Sequence, residues 1–143
     1  MERAELISLL NTLIEGERAG ARALIGMQSE LADPAGASLL HDVAKDEGRF
    51  CAMLSHHVER LGGQPSRKTG VFLDKLEARD SLSAKLSLLD RGQSAVVRML
   101  DLALPEIADP RLQADLMDMR DVHLRNIERC AAYAGLEGHD SMG

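Results

Sequence analysis

Residues 10–27 read LNTLIEGERAGARALIGM, and apolar positions recur in this stretch at alternating spacings of three and four. This spacing aligns them on one face of an α-helix, as in a helix that packs against partners in a bundle. A helix is therefore predicted within residues 4–32. Its buried face, called a seam below, consists of Leu10, Leu13, Glu17, Gly20, Leu24, Met27 and Leu31.

Two Asp-Pro pairs mark the starts of later helices. Asp33-Pro34 and Asp109-Pro110 each place an N-cap residue before a proline at the first helical position. Asp80 is the predicted N-cap of the helix that lies between them. The three later seams are Leu40, Val43, Glu47, Phe50, Leu54, His57 and Leu61; Leu82, Leu86, Leu89, Gln93, Val96, Leu100 and Ala103; and Leu112, Leu116, Met119, His123, Asn126, Cys130 and Tyr133.

Glycines predict where these helices end. The second is expected to end at Gly62-Gly63 and the fourth near Gly135, with a frayed tail over 136–143. A long crossover over 62–80 contains a short amphipathic segment at 71–79. Because no segment shows strand alternation, the sequence predicts an all-α protein: a four-helix bundle of two antiparallel hairpins joined by that crossover.

Length and composition exclude several classes of protein. A chain of 143 residues is enough for one domain, here predicted over 1–135. Lys and Arg total 17 against 23 Asp and Glu, which gives a net charge of -6 with no basic patch for phosphates. The only aromatic residues are two Phe and one Tyr, too few to stack bases. Nucleic acid is therefore not an expected partner.

Neither export nor a membrane is expected from the sequence. The first five residues, MERAE, lack the basic and apolar regions of a signal peptide. No apolar run approaches the roughly 18 residues that a membrane span requires. We expect a cytoplasmic protein that does not contact a membrane.

Cys51 and Cys130 lie far apart in the sequence, so they form neither a CxxC redox pair nor a cysteine-type zinc site. Neither a phosphate-binding loop nor a nucleophilic triad has usable spacing. We therefore expect no haem, flavin or nucleotide cofactor.

Polar residues interrupt the four seams at one depth. Glu17 and Glu47 flank the turn at Asp33, and Gln93 and His123 flank the turn at Asp109. At ~1.5 Å per helical residue, all four lie roughly 21 to 24 Å from those turns. Since burying a carboxylate costs several kcal/mol, two at one level require a metal, another cation or shared protons.

The two hairpins also resemble each other. Residues 30–34, ELADP, recur as EIADP at 106–110, an offset of 76. The same offset pairs Glu17 with Gln93 and Glu47 with His123. A pseudo-twofold bundle with internal repetition is predicted.

Four segments resemble the ferritin-like superfamily, in particular its small rubrerythrin-related domains, over nearly all of residues 4–134. Residues 10–21, LNTLIEGERAGA, are similar to the first helix of that family, and DEGRF at 46–50 lies where its second helix bears Glu-x-x-His. Gln93 lies at the Glu of the third helix, and RDVH at 120–123 at the second Glu-x-x-His. The resemblance implies a dinuclear iron or manganese site for oxygen and peroxide chemistry or for metal storage.

Three of the six family ligand positions are retained in this chain, as Glu17, Glu47 and His123. Phe50, Gln93 and Arg120 replace a His and two Glu residues. Two carboxylates are too few for two divalent ions, so the reduced set predicts a site for one divalent metal: iron, manganese or zinc. The family register pairs Glu47 with Arg120, three residues away from the pairing of the repeat, and both registers stay open.

A metal-free alternative follows from the same residues. If Arg120 turns inward, its guanidinium neutralises Glu17 and Glu47, and the bundle acts as a structural or protein-interaction module. The chain also lacks the cysteines of a rubredoxin-like module, so redox activity would need an external electron donor. Whether the protein is an enzyme stays open.

Two further features carry structural predictions. His57, in the last turn of the second helix, is expected to meet the helix dipole or a carbonyl. Gly16, Gly20 and Gly26 weaken an isolated first helix but permit close packing. We therefore predict that this helix contributes to a homodimer interface.

Overall fold

The computed structural model describes residues 1–31, 33–69 and 72–142, and describes side chains there except at 72, 73 and 136–142. Within those ranges no residue lies in a β-strand, and the all-α prediction is confirmed. Positions 32 and 71, which fall in the predicted repeat and crossover segment, lie outside the described residues. The helices are α1 (Arg3–Gln28), α2 (Pro34–Arg60), α3 (Phe72–Glu77), α4 (Leu82–Ala103) and α5 (Pro110–Met142), with a 3₁₀ turn at Leu104–Glu106.

The four long helices form two hairpins, α1 with α2 and α4 with α5. Helices α2 and α5 are antiparallel, since Asp42 near the start of α2 pairs with Arg129, whereas Arg60 at its end pairs with Asp109. The crossover returns the chain along α1, where the Arg18 guanidinium donates to the Lys68 carbonyl at 2.6 Å. This is the predicted bundle of hairpins joined by a long crossover.

The Asp-Pro signals begin helices as predicted. Asp33 Oδ2 accepts a hydrogen bond from the Gly36 amide at 2.9 Å, and Asp109 Oδ1 accepts one from the Arg111 amide at 3.0 Å. The prediction for Asp80 is wrong. Helix α4 begins at Leu82, so the residue before it, Ser81, accepts from the Ala84 amide at 3.1 Å.

The two predicted helix ends have different outcomes. Helix α2 ends at Arg60, and Gly62 follows with a φ of +86°, in the left-handed region that glycine adopts without strain. Helix α5 instead continues past Gly135 to Met142. A glycine inside a helix costs only about 1 kcal/mol relative to alanine, so Gly135 alone does not stop α5. Fraying of 136–143 stays a prediction.

The core consists of two apolar clusters at different levels of the bundle. One contains Leu13, Phe50 and Leu116, and the other contains Leu24, Leu40 and Leu89. Along each long helix, the interrupting polar residue lies between the two clusters. In the part of the chain that the structure describes, no helix is long and apolar enough to cross a bilayer.

Candidate metal centre

One polar residue from each long helix reaches the level between the two apolar clusters. Glu17 comes from α1, Glu47 from α2, Gln93 from α4 and His123 from α5, and all four line one cavity. Their exposed fractions are 2%, 4%, 6% and 2%. The convergence predicted from helix depth is therefore present. These four residues are called the polar layer below.

Glu17, Glu47 and His123 lie close enough to share one ion. Each offers a ligand atom, and these atoms lie within 4.8 Å of one another. Glu17 Oε1 and His123 Nε2 are 2.7 Å apart. Carboxylate oxygen and imidazole nitrogen are donor types that Fe²⁺, Mn²⁺ and Zn²⁺ accept.

The orientation of the His123 ring is fixed from its other side. His123 Nδ1 lies 2.9 Å from the Met119 carbonyl oxygen one turn earlier on α5. Because a carbonyl can only accept, Nδ1 must carry the hydrogen, and Nε2 is directed toward Glu17. A histidine that ligates a metal commonly donates its second ring N–H to such a carbonyl, which fixes its tautomer.

Several oxygens of the polar layer have no suitable donor. Glu47 Oε2 and Gln93 Oε1 are buried without a hydrogen-bond partner, and Glu17 Oε1 receives no aligned hydrogen bond although His123 Nε2 is near. An unsatisfied buried acceptor costs about 1–3 kcal/mol, more when it is charged. The polar layer therefore contains more hydrogen-bond acceptors than the surrounding protein has donors to pair with them.

The electrostatics of the polar layer favour extra positive charge. Burial raises the pKa of Glu47 well above its usual range, and the Glu17 and Asp46 carboxylates raise it further. Burial lowers the pKa of His123, but the Glu17 carboxylate, the Met119 carbonyl and the Asp46 carboxylate together outweigh burial, so this pKa is raised overall. Both shifts favour the protonated forms of Glu47 and His123.

The donor set fits one divalent ion better than two. Two carboxylates balance the charge of a single M²⁺, and His123 adds a neutral nitrogen. Phe50, where the family has a histidine, is fully buried and packs its ring 5.5 Å from the ring of His123. It contributes no donor atom, so the dinuclear site that the family resemblance implies does not fit this chain.

The alternative in which Arg120 neutralises the carboxylates is wrong. The Arg120 guanidinium forms ion pairs with Asp101 on α4 and, at 3.4 Å, with Asp121. It is partly exposed and does not line the cavity of the polar layer. Asp101 offers a half-solvated carboxylate within reach, which avoids the cost of burying a guanidinium.

Gly20, which was predicted to permit close packing at a homodimer interface, lies against the Glu47 carboxylate inside the bundle. A Cβ built at Gly20 would lie 2.9 Å from Glu47 Cδ and closer still to Oε2. Because Gly20 has no Cβ, the Glu47 carboxylate can lie directly against α1. At Gly16 and Gly26 a Cβ would meet no atom within 4 Å. A homodimer through this helix stays a prediction.

His57 lies in the last turn of α2 as predicted, but its ring contacts charged side chains and not a carbonyl. Its ring is 2% exposed, and Nε2 lies 2.6 Å from Asp115 Oδ2 of α5 rather than near a carbonyl. Nδ1 lies 3.0 Å from Arg60 Nη2. Within the described residues, His57 belongs to none of the clusters that could hold a metal ion.

Comparisons with known proteins agree with this fold. A family model described as a domain of unknown function (DUF6306) matches residues 4–132. A solved structure titled as ferritin-like, diiron-carboxylate proteins from Bacillus anthracis str. Ames superposes with a TM-score of 0.82 at 15% identity, covering 94% of this chain and 99% of that one. No curated protein matches. The fold is ferritin-like, and the buried Glu, Glu and His group is compatible with a metal site.

Proposed function

The chain belongs to the DUF6306 family, and we propose that its function is to bind one divalent metal ion through Glu17, Glu47 and His123. The ion is iron, manganese or zinc. Its role lies in oxidative chemistry or in metal handling. The bundle supports this assignment because its helices bring the three side chains together between the two apolar clusters.

One observation carries the proposal. The Met119 carbonyl holds the hydrogen of His123 on Nδ1, so in the neutral ring the lone pair of Nε2 faces Glu17 Oε1 at 2.7 Å. Two acceptors at this distance repel each other unless a proton or a metal ion lies with them. The second carboxylate, Glu47, brings the charge of the site to that of one divalent cation.

The polar layer determines what such an ion can do. Three protein ligands leave coordination positions free for water or a small ligand, whereas a purely structural site is usually closed by four. Gln93 adds a neutral amide in place of a third carboxylate and so keeps the site near zero net charge. Redox turnover at this site would require an electron donor from another protein.

The experiment is elemental analysis of untagged protein. The protein is stripped with a chelator, dialysed against Fe²⁺ under anaerobic conditions, Mn²⁺ or Zn²⁺ in turn, and its metal is expressed per chain. Glu47→Gln keeps the shape of the side chain but removes its charge. Glu59→Gln is the matched control, because Glu59 is exposed on the same helix.

We expect about one ion per wild-type chain, since the two carboxylates of the ligand set balance the charge of one divalent ion. Glu47→Gln should lose this ion, and Glu59→Gln should retain it. Two ions per chain would show that the missing ligands are replaced by other groups. If the protein bound none of the three metals, the proposal would be contradicted.

A further inference from the structure

A cavity of about 220 Å³, partly open to solvent, is lined by the polar layer and by residues of α1 and α4. Glu17, Glu47, Gln93 and His123 provide its polar groups. The rest of its wall is small or apolar and consists of Gly16, Gly20, Leu89, Gly92, Ala95 and Val96. A single metal ion and its ligand oxygens would occupy only the polar end, so most of this volume is left for another molecule.

The size and the wall of the cavity define the body of that molecule. An apolar cavity of roughly 150 Å³ in another protein holds benzene, so this cavity accommodates a body of one ring or a short aliphatic chain. Leu89, Ala95 and Val96 offer no side-chain hydrogen-bonding groups. Polar substituents that contact these side chains would therefore lose their hydrogen bonds with water without replacement.

Gln93 defines the head group. Its Oε1 is buried and has no partner, and the charge of one divalent ion is already balanced by Glu17 and Glu47. Because a carbonyl oxygen accepts only, the missing partner must donate a hydrogen. A hydroxyl meets this need and keeps a lone pair for the metal, whereas a charged head group would unbalance the site.

We propose that this cavity binds a small neutral molecule with an apolar body and one hydroxyl group. The hydroxyl donates to Gln93 Oε1, and its oxygen faces the metal ion. The inference rests on the proposed function, because the metal ion supplies the second contact of that oxygen. Gln93 is then the residue that selects for a hydroxyl.

Phenol and toluene are suitable probes, because they share a ring and differ in the hydroxyl. Metal content is measured first, and binding to the metal-loaded protein is then followed by ligand-observed NMR titration. Phenol should bind saturably and at least about tenfold tighter than toluene, since a site built to pair a hydroxyl rejects the analogue without it. In Gln93→Leu this preference should decrease, because the hydroxyl then keeps only its contact with the metal ion.

A cavity-filling variant tests the location. Ala95→Leu places extra volume in the wall and should weaken phenol binding at least about tenfold while metal content stays unchanged. Ala114→Leu, at an exposed position of α5, is the matched control and should change neither. Equal affinity for phenol and toluene, or unchanged phenol binding in Ala95→Leu, would overturn the inference. Metal content is measured before phenol is added. A protein that takes up no metal would therefore overturn the proposed function itself, and not only this inference.

Discussion

Two buried histidines with equal exposure have opposite surroundings. His57 near the end of α2 and His123 in the middle of α5 are each 2% exposed. Each has a ring nitrogen close to a carboxylate oxygen, at 2.6 Å from Asp115 and at 2.7 Å from Glu17. Burial and proximity to an acid therefore do not distinguish the two rings.

The hydrogen-bond partners do distinguish them. Arg60 can only donate, so His57 Nδ1 accepts from it and His57 Nε2 donates to Asp115. Both nitrogens are used, and the Asp115 side chain is half exposed to water. In His123 the hydrogen lies on Nδ1, and Nε2 faces a pair of buried carboxylates. Unsatisfied buried acceptors, rather than a buried histidine alone, therefore mark a candidate metal centre.

The largest expected effect separates the two histidines by metal affinity. Loss of an outer-shell partner typically weakens metal binding 10- to 100-fold, so loss of the ligand in His123→Ala should weaken it by more than about 100-fold. His57→Ala should destabilise the fold but leave metal affinity unchanged. Competition titration against a chromophoric chelator measures both. A parallel loss of affinity in the two variants would show that the fold, rather than the ligand, controls binding.

The next effect concerns two glycines on α1. Gly20→Ala should weaken metal binding at least about tenfold, because the new Cβ displaces the Glu47 carboxylate. Gly16→Ala meets open space and should instead stabilise the helix by about 0.5–1 kcal/mol, without loss of affinity. The same chelator titration and urea unfolding measure the two quantities.

A second substitution distinguishes a positional effect from general damage. Glu47→Asp shortens the side chain by one methylene, so it should restore part of the affinity when added to Gly20→Ala. In a chain that retains Gly20, Glu47→Asp should only weaken metal binding. If Gly20→Ala and Gly16→Ala behaved alike, Gly20 would have no positioning role.

A smaller effect is the pH dependence of the metal-free protein. The raised pKa of Glu47 means that the folded state holds a proton that the unfolded state releases above about pH 4.3. The raised pKa of His123 contributes stability that is complete below about pH 6.5 and is lost as the pH rises through the folded value. Both terms make the metal-free protein less stable as the pH rises.

Urea unfolding at about pH 6 and about pH 8 measures this dependence, because the interval brackets the usual histidine pKa. Glu47→Gln should reduce the loss of stability between the two pH values, since the variant has no proton to release. Metal affinity should change in the opposite direction and increase with pH, because the ligands must be deprotonated. The same pH dependence in Glu47→Gln as in the wild type would contradict the assignment to Glu47.

Much of this arrangement could be predicted because it depends on local signals. Asp33 and Asp109 begin helices through contacts with amides two or three residues away. The constant rise of a helix then determines the level at which Glu17 and His123 meet. The same helix-depth argument placed Glu47 at this level, and the family resemblance then identified the three residues as candidate metal ligands.

The parts that could not be predicted depend on contacts distant in the sequence. Arg120 has a long side chain with several acids within reach, and it contacts Asp101 on another helix as well as the neighbouring Asp121. His57 likewise pairs with Asp115, 58 positions away. The contact between Gly20 and the Glu47 carboxylate depends on how α2 packs against α1. Sequence spacing gives the level of a side chain along a helix but not its rotamer.

Anomalous X-ray diffraction at the absorption edge of the bound metal would locate the ion among its ligands. We expect one peak per chain, at about 2.0–2.2 Å from ligand atoms of Glu17, Glu47 and His123, which is the range for nitrogen and carboxylate ligands. A peak beside His57 and Asp115, or two peaks in the polar layer, would contradict this expectation.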